Sequence, residues 1–384
     1  MKFEFSTAQR IIFGNDEIHK LPQLLADFGN RYLLVVGFDA WNATPAPELL
    51  TQAKTTWLTY RVSHEPTINT IDEGVRLARE MDAEAIIGLG GGSAMDTAKA
   101  VAAMVHNPGT LLDYLEVIGA GRPLQSRSLP VIAIPTTAGT GAEVTRNAVI
   151  GSPKHRVKVS LRNNTMIPAV ALVDPKMTLG LPKPITAASG LDALTQVVEP
   201  FLSVFANPVT DALCREAIRT AATALPNVHR NGDILEYREA MAFVSLIGGI
   251  ALTNARLGAV HGFAGPFGGM YDAPHGAVCG RLLPAVMQMN IKKIRSQTEY
   301  GEKLKRYQQI AALIFQDAAA APEAATDWVS ELVERFEIPR LGEYGLRRNE
   351  FDDLVNKTQA SSSMKGNPVR LSDEDCLEIL EASI

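Results

Sequence analysis

EAIIGLGGGSAMDTAKAVAAMVHN, residues 84–107, decides the fold. Its first part, 84–90, is a continuous apolar run of strand length, and its last part, 93–107, spaces apolar residues at helical intervals. Gly90, Gly91 and Gly92 join the two. A continuous apolar strand is buried on both faces, which is the signature of a parallel sheet covered by helices. Such a turn lets the backbone approach a ligand closely. The first N–H groups of the helix, with the Ser93 hydroxyl, offer donors to a pyrophosphate. The spacing is not GxGxxG, because Ser93 stands at the third glycine position, and no Lys-Ser/Thr pair follows as in a Walker A loop.

Outward from this stretch, RYLLVVGF (31–38), TWLTYRV (56–62), LPVIAIPTT (129–137) and AVALVDP (169–175) read as further strands. A helix-like segment lies near 46–54, and another runs through Ile71, Val75, Leu77 and Met81, with Asn69 or Thr70 as its expected cap. Strands alternating with helices predict an α/β domain over residues 1–180. Beyond Pro182-Lys183-Pro184 the strand signals fade, and helical patterns follow at 185–202, 207–225, 235–256, 304–316 and 322–336. Residues 181–384 therefore read as an all-helical domain.

The 384 residues are 46% hydrophobic and 21% charged, with a net charge of -5 and no basic stripe, which argues against nucleic acid as a partner. No apolar run reaches 18 residues, and MKFEFSTAQR at the start lacks an apolar signal core, so a cytoplasmic chain without a membrane partner is expected. Cys214, Cys279 and Cys376 show no CxxC spacing and read as reduced, buried or incidental.

Two other stretches carry chemistry. TTAGTGAEVTRN (136–147) places the hydroxyls of Thr136, Thr137 and Thr140 around Gly139 and Gly141 directly after a strand, where open α/β sheets bind ligands. In GLDALTQVVEP, Asp192 and Gln196 lie one helical turn apart and project from one face. His261 and His275 frame HGFAGPFGGMYDAPH, whose glycines and prolines suggest a segment that folds back and brings the imidazoles together. A carboxylate with two imidazoles suits Fe(II) or Zn, to which Gln196 can add its carbonyl oxygen. Alternatively, Gln196 hydrogen-bonds substrate and no metal is needed.

GGGSAMDTAK, PTTAGTGAEVT, Lys158 ahead of AVALVDP, GLDAL and HGFAGPFGGMYDAPHG occur in an order that resembles the iron-containing (group III) alcohol dehydrogenases, which have the dehydroquinate-synthase-like fold. The resemblance spans residues 5–380. It implies an N-terminal nucleotide-binding domain, a C-terminal metal-binding domain and a cleft between them. Gly91, Gly92, Ser93 and Asp96 would form the pyrophosphate loop, and Thr136, Thr137, Thr140, Asn147 and Lys158 would surround phosphates, ribose and nicotinamide. Asp192, His261 and His275 match three of the family's four metal ligands, with Gln196 where the family usually has His. Gly265 stands where a second histidine, implicated in proton relay, is often found.

The expected activity is NAD(P)-dependent interconversion of a small alcohol and its aldehyde or ketone, by a homodimer or higher homo-oligomer. Asp39, after the first strand, is the candidate to bind the adenosine ribose and favour NAD over NADP, with Gly37 the alternative occupant of that specifying position. Phe263 and Phe267 are read as pocket walls or as ordinary core. Three other readings compete: a metal-independent reductase of the maleylacetate type, a nucleotide-binding protein without catalysis, and a lyase of the dehydroquinate synthase type. The lyase would need a basic cluster, yet residues 240–280 offer only Arg256.

Overall fold

The computed structural model describes residues 2–37, 44–296 and 301–384. The chain forms two compact units. One comprises Ser6–Thr137 and Gly141–Leu179; the other is Gly180–Ile384 with the N-terminal residues through Phe5 and the short piece Ala138–Thr140.

The first unit is built on strands β1 (Arg10–Phe13), β2 (Arg31–Gly37), β3 (Thr56–Val62), β4 (Ala85–Gly90) and β5 (Val131–Pro135), with β8 (Val170–Val173). They form one six-stranded sheet in the order β1-β8-β5-β4-β2-β3, parallel throughout. Helices α1 (Leu21–Leu25), α2 (Ala46–Gln52), α3 (Ile68–Glu80) and α4 (Gly92–Met104) connect strands. The central strands are Val-, Ile- and Leu-rich because both faces are covered: Leu33, Val35 and Ile86 pack into one core, Leu34, Val36 and Ile87 into the other. The α3 cap is Thr67 rather than Asn69 or Thr70. Its hydroxyl accepts from Thr70 N–H, and Thr70 Oγ1 accepts from Thr67 N–H, a reciprocal pairing that caps the helix two residues before Asn69.

From β2 the chain moves to β3 on one side, and from β4 to β5 on the other. The strand order therefore reverses between β2 and β4, the place where sheets of this kind bind ligands at their carboxyl ends. Gly90 sits there with φ +149, and a Cβ would lie 2.9 Å from the Gly37 nitrogen, so only glycine closes the turn.

An antiparallel hairpin not foreseen from sequence, β6 (Asn147–Ser152) with β7 (Val157–Arg162), packs on α4. Lys99 of α4 docks it. Its side chain is fully buried, and its ammonium donates to the carbonyls of Ala142 and Asn147 and to Thr145 Oγ1, and pairs with Asp96 at 2.9 Å. A buried cation is tolerable only when so surrounded.

The second unit holds α5 (Lys183–Leu202), α6 (Pro208–Arg230), α7 (Leu235–Ala255), α8 (Ala259–Met270) and α9 (His275–Arg295), then α10 (Gly301–Phe315), α11 (Pro322–Arg335), α12 (Phe351–Ala360) and α13 (Asp373–Ser383). No strand occurs among its described residues. The expectation of a parallel-sheet α/β N-terminal domain followed by helices matches this architecture. No single helix of the described residues is long and apolar enough to cross a membrane. Helix α5 is buried nearly all round from Thr186 onward, which marks it as the centre of its unit. At Gly276 of α9 a Cβ would stand 2.2 Å from the Ala188 carbonyl oxygen, so α9 meets α5 backbone to backbone.

Candidate metal centre

Asp192, Gln196 and Glu199 follow one another along α5 at helical spacing, and all three are buried. His261 comes from α8 and His275 is the first residue of α9. The glycine-rich segment between the histidines is not an irregular fold-back: it is helical to Met270, with Pro266 inside, and turns only at residues 271–274 before α9 begins. Packing around the fully buried Phe263 and Phe267 overrides the weak helix propensity of its glycines. Those two rings are core; Phe267 stacks on Tyr271 at 4.8 Å between centroids.

Four side chains from three helices meet. Asp192 Oδ1 lies 3.4 Å from His261 Nε2 and 3.9 Å from His275 Nε2. Cys279, one turn beyond His275 on α9, brings its Sγ to 3.7 Å from His261 Nε2 and 3.6 Å from His275 Nε2. All four ligand-type atoms fall within 4.8 Å of one another, a cluster that could hold a metal ion. Asp192, His261 and Cys279 are buried, while the His275 side chain keeps 32% of its surface accessible and forms the open side.

Glu199 sets the orientation of His261. The imidazole Nδ1–H donates to Glu199 Oε2 at 2.7 Å, which leaves Nε2 with a lone pair facing the cluster. The other carboxylate oxygen accepts from Val260 N–H at 2.7 Å. Gln196 is anchored differently, donating its Nε2–H to the Gly139 carbonyl at 3.0 Å. Both Asp192 Oδ1 and Gln196 Oε1 are buried without a well-formed hydrogen bond. Unpaired buried oxygens are costly, and Asp192 Oδ1 with the two imidazole nitrogens makes a donor set that fits a divalent cation.

The charges answer one another. Burial raises the Asp192 carboxyl, but the His261 and His275 rings outweigh it and hold it below its usual range. Burial lowers both histidines, yet the Cys279 sulfur and Asp192 carry each above its ordinary value. The Cys279 thiol is pulled down by the same rings against the effect of burial. Neither Cys279 nor Glu199 was singled out from sequence. Both were legible: Cys279 is i+4 from His275, the spacing that had already paired Asp192 with Gln196, and Glu199 is i+7 from Asp192, two turns along the same face.

The other site residues expected from sequence fall in several places. Gly91 caps α4, and Gly92 and Ser93 open it, immediately after β4. Thr136 and Thr137 follow β5, the strand beside β4, and Thr136 N–H donates to the Gly90 carbonyl at 2.9 Å. Thr140 belongs to the short piece that clusters with the helical unit. Asp96 spends both oxygens inside the protein, on Lys99 and on Val149 N–H at 2.9 Å. Asn147 opens β6, its carbonyl held by Lys99, and Lys158 on β7 pairs with Glu65. Asp39 lies outside the described residues.

A doubly covered parallel sheet with a glycine-rich turn at its switch point, followed by a helical unit carrying a buried Asp-His-His-Cys cluster, defines an oxidoreductase of the dinucleotide-and-metal class. The description iron-containing alcohol dehydrogenase matches residues 8–175, and that of the Fe-containing alcohol dehydrogenase family, C-terminal, matches residues 186–384. The chain belongs to the iron-containing alcohol dehydrogenase family. Alcohol dehydrogenase 4 of Schizosaccharomyces pombe is 34% identical over 324 residues, 84% of this chain and 74% of that one. A 1,3-propanediol dehydrogenase of Citrobacter freundii is also 34% identical over 324 residues, covering 83% and 80%. Among solved structures, an alcohol dehydrogenase from Oenococcus oeni superposes with a TM-score of 0.91 at 30% identity, covering 100% of both chains.

Proposed function

We propose that this chain interconverts a small alcohol and its aldehyde or ketone, using NAD and a divalent cation held by Asp192, His261 and His275. The observation that carries the reading is the buried, unpaired Asp192 Oδ1 converging with two imidazole nitrogens. When bound, a divalent cation would supply Lewis acidity and a nicotinamide would supply hydride-transfer chemistry. The protein's own part is orientation and charge. Glu199 fixes the His261 tautomer, Asp192 supplies the negative charge that a cation requires, and the open flank of His275 admits substrate.

On the nucleotide side, Gly91, Gly92 and Ser93 at the N-terminus of α4 would take the pyrophosphate, where N–H groups and the helix dipole favour anions. Asp96 supports that turn from behind through Val149 and Lys99. Thr136, Thr137, Thr140, Asn147 and Lys158 would line the rest of the dinucleotide, and Asp39 would favour NAD over its 2′-phosphorylated form. Gly265 offers no group to carry a proton, so the alcohol's proton would leave through water, a ribose hydroxyl or another polar group. Three unpaired, buried cysteines suit a reducing cytoplasm, and assembly as a homo-oligomer follows the resemblance to the family.

The test is Asp192→Ala. NAD-linked alcohol oxidation should fall by at least about 100-fold while the protein stays folded. Undiminished turnover would refute the metal-assisted reading.

A further inference from the structure

We infer that Cys279 is a metal ligand: its thiolate joins Asp192, His261 and His275 to form a four-point cradle for a zinc-type divalent cation, with Gln196 outside it. This deepens the metal-dependent reading above and rests on it.

The geometry is the first argument. A tetrahedral ion bound at about 2.0–2.1 Å to nitrogen or oxygen and about 2.3 Å to sulfur has nitrogen–sulfur edges of about 3.6 Å and nitrogen–oxygen edges of about 3.4 Å. The sulfur lies 3.7 and 3.6 Å from the two imidazole nitrogens, and the His261–Asp192 edge is 3.4 Å. The His275–Asp192 edge, at 3.9 Å, is wider, and His275 is the partly exposed member.

Counting protons is the second. Because Glu199 takes the Nδ1–H of His261, a neutral ring presents a lone pair from Nε2. That lone pair faces a carboxylate oxygen at 3.4 Å which has no hydrogen bond of its own. Two acceptors at this distance repel unless a proton on the ring or a bound cation lies between them. The single S–H of Cys279 can serve one imidazole nitrogen, not both of those it touches and the carboxylate as well. A cation serves all four at once.

Sulfur also bears on the choice of ion. A thiolate among two imidazoles and one carboxylate softens the set, and a tetrahedral arrangement of this kind favours zinc over harder, six-coordinate ions. Gln196 is neutral, its amide nitrogen is tethered to the Gly139 carbonyl, and the thiolate takes the fourth point of the cradle in its place.

The full-length protein, stripped by chelation and titrated with cobalt(II), tests this without reference to turnover. We expect a sulfur-to-cobalt charge-transfer band in the near ultraviolet, together with intense tetrahedral bands in the visible, both saturating at equimolar cobalt. Cys279→Ser should lose the ultraviolet band and bind cobalt and zinc at least about 100-fold more weakly, since even outer partners of a ligand cost 10- to 100-fold. Circular dichroism of C279S and C279A checks that the fold persists, and the band in the parent protein is decisive even if both variants unfold. Visible bands without the ultraviolet band, with C279S binding as tightly as the parent, would overturn the role of Cys279 and leave the metal-dependent reading standing. Failure of the parent to bind cobalt or zinc at all would overturn both.

Discussion

Replacing Glu199 by Gln isolates what a residue one layer behind the metal cluster contributes. Its two carboxylate oxygens accept two buried donors, His261 Nδ1–H and Val260 N–H, each at 2.7 Å. A glutamine of the same shape has one acceptor oxygen and an NH2 group in place of the other. One of the two donors is therefore left facing an N–H group. An unsatisfied buried donor costs about 1–3 kcal/mol. For a unit of roughly 200 residues, each kcal/mol lowers Tm by about 2–4 °C, so a fall of about 2–12 °C is expected in thermal unfolding of the metal-free protein. A second effect is independent of the first. With the carboxylate gone, the ring is free to change tautomer, and zinc affinity by titration calorimetry should fall by about 10- to 100-fold. Glu199→Ala should do worse on both counts, because it removes both acceptors and leaves a cavity. An E199Q variant with unchanged Tm and unchanged zinc affinity would refute the reasoning that Glu199 holds His261 in place.

Three more outcomes follow from named contacts. Burial pushes the Glu143 carboxyl up from 4.5 to about 7, so the folded chain holds a proton that the unfolded chain has already released; stability should fall by about 3 kcal/mol as pH rises between those values and level off above. Urea unfolding across that range should show this slope in the parent and not in Glu143→Gln, and an equal slope in both would be contrary evidence. Gly276→Ala forces a methyl against the Ala188 carbonyl oxygen and within 3.1 Å of Asp192 Cβ; it should destabilise by about 1–3 kcal/mol and weaken cation binding, and an unchanged urea midpoint would contradict the close approach of α5 and α9. Gly265→Ala should do the opposite, because its helical site in α8 has ordinary φ and open space where the methyl goes; a gain of about 0.5–1 kcal/mol is expected, and destabilisation on calorimetric scanning would count against it.

The fold was readable wherever one local pattern dominated. Apolar runs such as 85–90 read as strands because both faces of the sheet are covered, and the glycines that follow signalled the turn onto α4. The hairpin 147–162 was not readable, since its alternating pattern is short and its place depends on Lys99, distant in sequence. Helix α8 was obscured for the opposite reason. Gly265, Pro266, Gly268 and Gly269 spell a loop locally, and only burial in the helical unit makes them a helix. At the site, Asp192, His261 and His275 come together as their types and spacing suggested. Cys279 was passed over because it was judged by the missing CxxC pattern, not by its distance of one turn from His275. Glu199 was passed over because a carboxylate that orients an imidazole has no motif of its own.

The backbone-to-backbone seam between α5 and α9 at Gly276 has a consequence for how such a protein diversifies. Where two rods touch with no side chain between them, their spacing is indifferent to what hangs further along. An imidazole, an amide or a thiol can be exchanged at positions 196 and 279 without moving the frame.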